Sequence, residues 1–599
     1  MTNATVPEHG GAAQADDLAR ERAIDPALSV ILQAPAGSGK TSVLTRRLLR
    51  LLAVVDEPEE ILAITFTRRA AAEMRARVLR ALRGEAGDGA QGEKLRALAA
   101  AALQRSEARG WRLAQDPGRL RIQTIDSFNF RLASQLPVTA RAGTELVVST
   151  RAAELYQLAA RETLLAAEQD PELSADLELL FERLDNRWGH VERLLADMLR
   201  QRAHWLRYVL GHQPDVLCER VTASLIRVVE DRLRIACRSL GEDVCSELAR
   251  LPGVGRLEPR ARCLPAWKSL ARLVLTNDGD WRRAITRRLG AGFEDGAGKE
   301  ALRGCIGRLS AIAAARGTLL EVASLPDPDP GAADAAALAA LSRVLRAAAA
   351  QLQALFAAEG RVDHTYIAGA ARAALAEGGL PTDLALRTGL SLRHILVDEF
   401  QDTSVAQLEL LEALTAGWEA GDGRTLFVVG DPMQSIYQFR EAEVGCFLRA
   451  RDAGIGTVRL TPLRLLRNFR STPALIDWTN ETFGRIFPAA DDLRESAVAF
   501  TPSLAGRNSP SPPASPVELR LLAGAERAAE TEAIVARVRD LKARDEQASI
   551  AILVAARTHA QPVVAALQAC GIDVIGVELV PLAEVPIVRD LVALTRALC

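Results

Sequence analysis

The chain is expected to fold as an α/β protein, a parallel sheet covered on both faces and interrupted by a large all-helical insertion. Short apolar segments bounded by Gly, Asp or Thr recur at 30–33, 61–65, 120–124, 394–398 and 426–430, and each runs through polar loop residues into a helical pattern. That alternation is the signature of parallel strands buried on both sides. Between the third and fourth segments, residues 138–360 carry 3.6-residue periodicity with few strand signals, as in the Ala- and Leu-rich stretch 335–357. A length of 599 residues leaves room for about three or four domains.

The first strand delivers the chain into Ala34-Pro35-Ala36-Gly37-Ser38-Gly39-Lys40-Thr41, a small-residue turn that reads as a phosphate-binding loop. Gly37 and Gly39 let backbone N–H groups turn inward around phosphate oxygens, and the helix that begins at Thr41 points its positive end at the same anion. Lys40 is placed to reach the β- and γ-phosphates, and the Thr41 hydroxyl to hold Mg²⁺. Ala34 stands where the simplest pattern has its first glycine, and a small residue is what the entry turn needs. Only five lysines occur against 69 arginines, and one falls where a compact point charge suits a phosphate.

The segment 394–398 ends in Asp398-Glu399. Such a pair after a strand is often a surface turn. With a phosphate loop upstream, Asp398 is expected to share the Mg²⁺ with Thr41 and Glu399 to orient or deprotonate the attacking water. The segment 426–430 leads into Gly430-Asp431-Pro432-Met433-Gln434-Ser435-Ile436-Tyr437-Gln438-Phe439-Arg440. Here Gln434 is expected to sense phosphate, while Phe439 and Tyr437 are candidates for base stacking or, equally for Tyr437, for ordinary core.

Further on, residues 501–516 form a Pro/Ser linker or exposed loop. Strand-like segments at 517–522 and 550–554 with a helical pattern between them suggest a second α/β unit, and the residues from Pro586 onward read as a helix with proline in its first turn. The formal charge of −2 argues against binding a polyanion by bulk electrostatics, so a polyanion has to be held in a local groove. Eight cysteines without paired spacing and seven histidines without ligand spacing indicate neither a disulfide framework nor a metal centre. Residues 1–23 lack an apolar core and no run of 18 uncharged apolar residues occurs, which suggests a cytoplasmic protein without a membrane partner. The basic clusters Arg46-Arg47 and Arg75-Arg77-Arg80 follow helical spacing and are expected first as solvated faces, second as phosphate contacts.

Taken in order, Ala34 to Thr41, Ile64 to Met74, Thr124-Ile125-Asp126-Ser127-Phe128, Val397 to Thr403, Gly430 to Arg440 and Leu466-Arg467-Asn468-Phe469-Arg470-Ser471-Thr472 resemble the ordered motifs of superfamily 1 UvrD/Rep-type DNA helicases. The wording of the third and fourth is similar to the AddA/RecB branch. The resemblance implies a RecA-like ATP-binding domain 1A from 1–137 and 361–460, a helical insertion 1B at 138–360, and a partial second RecA-like domain 2A with the start of its own insertion at 461–599. It implies an ATP- and Mg²⁺-dependent 3′-to-5′ helicase or translocase acting in DNA repair or recombination on single-stranded DNA and single-strand/double-strand junctions. Its possible partner is an AddB-like or other nuclease-helicase subunit.

By the same resemblance Phe469 stacks on the base of the nucleotide and Arg470 contacts the γ-phosphate. Thr65, Phe66, Thr124 and Phe128 line the single-strand track, with Phe439 as a stacking platform. Arg20 stands about where the family's adenine-reading glutamine falls, so adenine reading is not carried over to this chain. The two late helicase motifs, one of which supplies an arginine finger, are not read before Cys599, and the chain is expected to be the front portion of a longer helicase. The alternative is a nucleotide-dependent single-strand DNA-binding protein without turnover.

Overall fold

The computed structural model describes residues 9–85, 90–113, 115–135, 147–149, 151–285, 296–328, 331–377, 380–381, 391–436, 442–493, 496–506, 517–522, 527–576 and 586–598. Its centre is an all-parallel sheet of β1 (Val30–Gln33), β2 (Ile61–Thr65), β3 (Arg121–Thr124), β4 (His394–Val397), β5 (Thr425–Gly430) and β6 (Thr461–Arg464), in the spatial order β6-β1-β5-β4-β2-β3. In register, Val30 lies between Phe427 and Thr461, Ile61 beside His394 and Leu62 beside Arg121.

Side chains alternate across a strand, so the continuous apolar runs feed two cores. Val30, Leu32, Ile61, Ala63, Ile122, Leu396, Phe427 and Val429 point to one face. There they meet α1 (His9–Ala23), α2 (Lys40–Leu52), α3 (Arg68–Leu82) and α4 (Ala90–Ala108). Ile31, Leu62, Ile64, Ile395, Val397, Leu426 and Val428 point to the other, first covered by α5 (Ile125–Gln135).

The chain then leaves the sheet for α6 (Ala152–Ala166), α7 (Pro171–Arg183), α8 (Trp188–Arg200), α9 (Arg202–Gly211), α10 (Pro214–Leu240), α11 (Glu242–Leu248), α12 (Leu264–Val274), α13 (Gly296–Ala311), α14 (Ala315–Ser324) and α15 (Gly331–Glu359). The expected helical insertion has two cores of its own, one built mainly from α6–α9 and α15, the other from the end of α10 through α14. A two-residue parallel pair, Val147–Val148 with Arg361–Val362, brings its two ends together. Within α15, residues 333–359 are long and apolar enough to cross a membrane by length and composition. Yet Arg343 pairs there with Asp176 at 2.6 Å and Arg346 donates to the Val209 carbonyl at 2.8 Å, as in the centre of a helical bundle.

The second face is completed by α16 (His364–Leu375), α17 (Val405–Leu414) and α18 (Val444–Ala453). All five expected strands differ from the structure by at most one residue at either end, and the first two coincide with it. Two expectations are corrected. The boundary at 460 cuts off β6, which adds to the edge of the first sheet through four pairs with β1. Arg46 and Arg47 are not a solvated face: Arg47 is fully buried and donates to the carbonyls of Ala23 (2.7 Å), Asp25 (3.0 Å) and Leu28 (2.6 Å), above the Phe427 ring. Burial pushes its guanidinium down to about 9, against the pull of Asp25.

After β6, Arg467–Asn468 pairs in parallel with Leu504–Ala505, and α19 (Pro473–Ile486) lies between them in sequence. Much of the Pro/Ser stretch lies outside the described residues. A second unit comprises residues 510–599. In it α20 (Arg527–Arg544) and α21 (Arg557–Ala569) share a small core of Val535, Val538, Val563 and Leu567, and α22 (Pro586–Leu598) is the expected last helix. The segments 517–522 and 550–554 form no strands. Neither has a ladder partner among the described residues, and Leu519, Leu521 and Leu553 are exposed.

Candidate nucleotide site and its surroundings

At the carboxyl ends of β1, β4 and β5 the three expected motifs meet. Gly37 and Gly39 adopt φ of 77° and 82°, the left-handed region that glycine enters at little cost, so the loop curls before α2 starts at Lys40. The loop is tied at its root by the Ala34 N–H, which donates to the Gly430 carbonyl at 2.9 Å. The Ser38 hydroxyl is buried without a hydrogen-bond partner.

Lys40 Nζ forms an ion pair with the carboxylate of Glu399, 359 residues away in the chain. Glu399 is itself a non-glycine residue at φ 53°, a strained setting that turns its side chain out of the strand end toward the loop. Asp398 precedes it, 9% exposed, and accepts from the Glu399 N–H at 3.0 Å. Burial, and then the charge of Glu399, push the Asp398 carboxyl up to about 6 against the pull of Lys40; Asp402 is pushed up to about 6 for the same reasons. Burial also raises Asp431. Four carboxylates thus face one lysine. A divalent cation and its phosphates fit this donor set: Thr41 and Asp398 could hold the metal, and Lys40 with the loop amides the phosphates.

Sequence reasoning missed Gln401. It is buried, its Nε2 donates to Glu399 Oε2 at 2.8 Å, and its Oε1 accepts from the Asp431 N–H at 3.0 Å. One amide therefore clamps the β4 loop to the β5 loop. The absence of a side chain at Gly430 is required by it, because a Cβ there would stand 2.4 Å from Gln401 Oε1. The only sequence signal was an amide three residues into the loop after a strand. Gln434 lies on the same rim, exposed, with its amide on Asp431.

The 466–472 motif also arrives. The Phe469 N–H donates to the Gly37 carbonyl at 2.8 Å, and a Cβ on Gly37 would collide with Asn468 and Arg470. Arg470 is exposed, its N–H held by Asn468 Oδ1 at 2.8 Å. Arg20 lies 5.2 Å from the Phe469 ring centroid, with Arg467 at 5.6 Å from the same ring. Asp16, held low by bonds from Arg20, the Leu466 N–H and Arg467 although burial raises it, anchors both guanidiniums. Arg20 Nη2 remains buried and unpartnered.

The expected strand track is placed differently residue by residue. Thr65 and Thr124 cap the ends of β2 and β3 and are buried: Thr65 Oγ1 donates to the Thr67 carbonyl at 3.1 Å, and Thr124 Oγ1 accepts from the Ser127 N–H at 3.2 Å. Phe66 is half-buried at the tip of β2. Phe128 is corrected to core: it is 4% exposed and packs with Leu62, Ile64 and Leu132, because the first turn of α5 directs it under the sheet. Tyr437 and Phe439 lie outside the described residues.

Residues 18–210 and 323–453, together more than half of the chain, match the family described as the UvrD/REP helicase N-terminal domain. The chain is 26% identical over 559 residues to an ATP-dependent helicase/nuclease subunit of Pelotomaculum thermopropionicum, an alignment covering 84% of this chain and 41% of that protein. It is 39% identical over 131 residues to the protein of the same name from Exiguobacterium sibiricum, 22% of this chain and 11% of that one. The RecBCD enzyme subunit RecB of Chlamydia pneumoniae is 37% identical over 108 residues, 18% of this chain and 10% of that protein. The chain spans well under half the length of these curated relatives.

Proposed function

The chain belongs to the UvrD/REP helicase family, and from that premise we propose that it is an ATP-dependent motor moving 3′-to-5′ along single-stranded DNA and opening single-strand/double-strand junctions in repair or recombination. The observation that carries this reading is the ion pair of Lys40 with Glu399, which joins a phosphate-loop lysine to the acid at the tip of the neighbouring motif. Without nucleotide the two neutralise each other. A triphosphate entering the loop takes Lys40 for its β- and γ-oxygens, and Glu399 is left to orient water, held in place by Gln401. Mg²⁺, bound by Thr41 and Asp398, supplies charge neutralisation of the phosphates.

Gln434 and Arg470 complete the γ-phosphate side, and Phe469 the base side. The tips of β2 and β3, with Thr65, Phe66 and Thr124, carry the strand, joined by Tyr437 and Phe439. In this reading the motor acts in the cytoplasm beside an AddB-like or other nuclease-helicase subunit; the names of the relatives, which are helicase/nuclease and RecBCD subunits, support work within a multi-subunit assembly.

Glu399→Gln tests the assignment. The variant is expected to bind Mg·ATP and single-stranded DNA as the parent does and to lose ATP hydrolysis by at least ~100-fold, the range of a positioned general base. Steady-state ATPase and a fluorescent-nucleotide titration check it, and parental turnover in the variant would sink the role given to Glu399.

A further inference from the structure

At the outer edge of the sheet β3 borders a cavity of about 260 Å³ lined by Glu59, Arg75, Arg119, Arg121, Gln123 and Arg131, among others. Glu59 and the lining residues Gly118 to Leu120 precede β2 and β3, so the cavity opens on the amino-terminal side of the sheet, opposite the strand ends that meet at the nucleotide site. The main chain at this edge is already occupied: the Ile122 N–H donates to the Leu120 carbonyl at 2.8 Å, and the Ile122 carbonyl accepts from Arg75 Nη2 at 2.6 Å. An added strand would find that pair of ladder groups taken. What the cavity offers instead is side-chain donors. Arg119 is held by Glu59 at 2.7 Å and Glu57 at 2.8 Å, but no acid pairs with Arg75, Arg121 or Arg131 among the described residues. Arg131 Nη2 donates to Gln123 Oε1 at 3.1 Å, while Arg75 Nε and Gln123 Nε2 are buried with no hydrogen-bond partner. Burial and then the neighbouring Arg131 push the Arg121 guanidinium down, against Glu59. Donors exceed acceptors and positive charge exceeds negative, the imbalance that one anionic acceptor corrects.

Arginines on an edge strand also keep sheets from pairing edge to edge. Any solvated charge serves that purpose, and it gives no reason for unpartnered donors buried beneath the arginines. The surroundings select among anions. Burial raises the Glu59 carboxyl, but bonds from Arg119 outweigh it and hold it below the usual carboxylate range, so a negative charge stands in the wall. Glu57 shares Arg119, and Asp116 accepts from the Gly118 N–H at 3.2 Å. That acidic margin repels a run of phosphates. A single planar carboxylate matches the guanidinium fork and leaves the margin free for basic neighbours. We propose that this cavity docks an aspartate or glutamate side chain of a protein partner, one carboxylate flanked by basic residues, and that the β3 edge is thereby a protein interface. The inference stands on the cavity alone and holds whether or not the chain moves along DNA.

The test is isothermal titration calorimetry of the whole chain with the capped peptide Gly-Lys-Gly-Glu-Gly-Lys-Gly at about 50 mM salt, where screening is weak. Saturable binding with a Kd of about 1 mM or tighter is expected. Glutamine in place of the peptide's glutamate should weaken it by at least about tenfold, the value of a hydrogen bond to a charged group, and so should Arg121→Gln/Arg131→Gln in the protein. Arg77→Gln/Arg80→Gln, on the exposed face of α3, removes the same charge outside the cavity and should change the affinity by no more than about twofold. Arg131→Gln alone, at an exposed position, serves if the double variant melts early, with a loss of several-fold expected. No saturation up to about 10 mM peptide, equal binding of the glutamate and glutamine peptides, or an equal loss in the control pair overturns the docking site. Displacement of the peptide by dT20 from the parent, with dT20 binding lost in the cavity variants, would make the cavity a polynucleotide site and overturns it as well.

Discussion

At the scale of single residues, the site depends on groups whose importance lies in what they hold. Gln401→Ala removes the bond to Glu399 and leaves the Asp431 N–H buried without its acceptor, a loss of about 1–3 kcal/mol in stability. Because the loop amides and Lys40 still bind phosphate, the ATPase should lose kcat with KM for ATP nearly unchanged, which a substrate titration reads directly. Arg20 makes a second case. A guanidinium only donates, whereas a side-chain amide both donates and accepts, so Arg20 suits the O6 and N7 acceptors of guanine better than the edge of adenine. Arg20→Gln is expected to shift the ATP-to-GTP affinity ratio toward ATP by several-fold in a displacement titration. His394, buried between β2 and β5 with Nδ1 at 2.8 Å from Thr425 Oγ1, is pushed down to about 4 by burial and then by Arg47 and Arg393. Its folded value lies below the ordinary value of about 6.5, so the unfolded chain takes the proton first. Stability present above pH ~6.5 should therefore fall as pH drops toward 4, by up to about 3 kcal/mol. Urea midpoints at pH 7 and 5 check this, with a smaller drop expected in His394→Gln.

At the scale of elements, what could be read from sequence was what repeats locally. The strands Val30–Gln33 and Ile61–Thr65 and the last helix from Pro586 show in the chain itself, as apolar runs with punctuation. What could not be read depends on partners far away in sequence. β6 is half polar along its length and owes its place to β1, more than 400 residues earlier. The segments 517–522 and 550–554 look the part and form no ladder among the described residues. Arg47 has helical spacing like its neighbours, and only the carbonyls left open at the end of α1 explain why it is inside. The site divides in the same way: phosphate loop and acids were legible, whereas the Gln401 clamp needs two loops brought side by side. The clamp makes an element-level prediction. Gly430→Ala drives a methyl to within 2.4 Å of Gln401 Oε1 and about 3 Å of two backbone nitrogens, so it should cost about 1–3 kcal/mol by overpacking. A lowered urea midpoint together with impaired ATPase is expected, and a neutral outcome would show that the β4 and β5 loops are less tightly joined.

At the scale of the molecule, the described residues of the unit 1–509 include four large cores: two against the sheet and two within the insertion. A ligand stabilises what it touches, about 2.7 kcal/mol at a hundredfold excess over Kd. Hydrogen exchange with Mg·ATP is expected to slow at β1, β4 and β5 and to leave α11–α14 unchanged; uniform slowing throughout would mean that all four cores open together. The spatial order β6-β1-β5-β4-β2-β3 also matters before the protein is finished. β1 leaves the ribosome early, but both of its neighbours are encoded after residue 424. At about 5–20 residues per second, the phosphate loop spends roughly 20–80 s tethered to a strand with nothing on either side. During that interval the nascent chain holds a bare apolar ribbon that only a chaperone or its own helices can shield. The ability to bind nucleotide arrives only when residues 425–464 have been made and thread back on both sides of β1, one strand filling the gap left in the middle of the sheet.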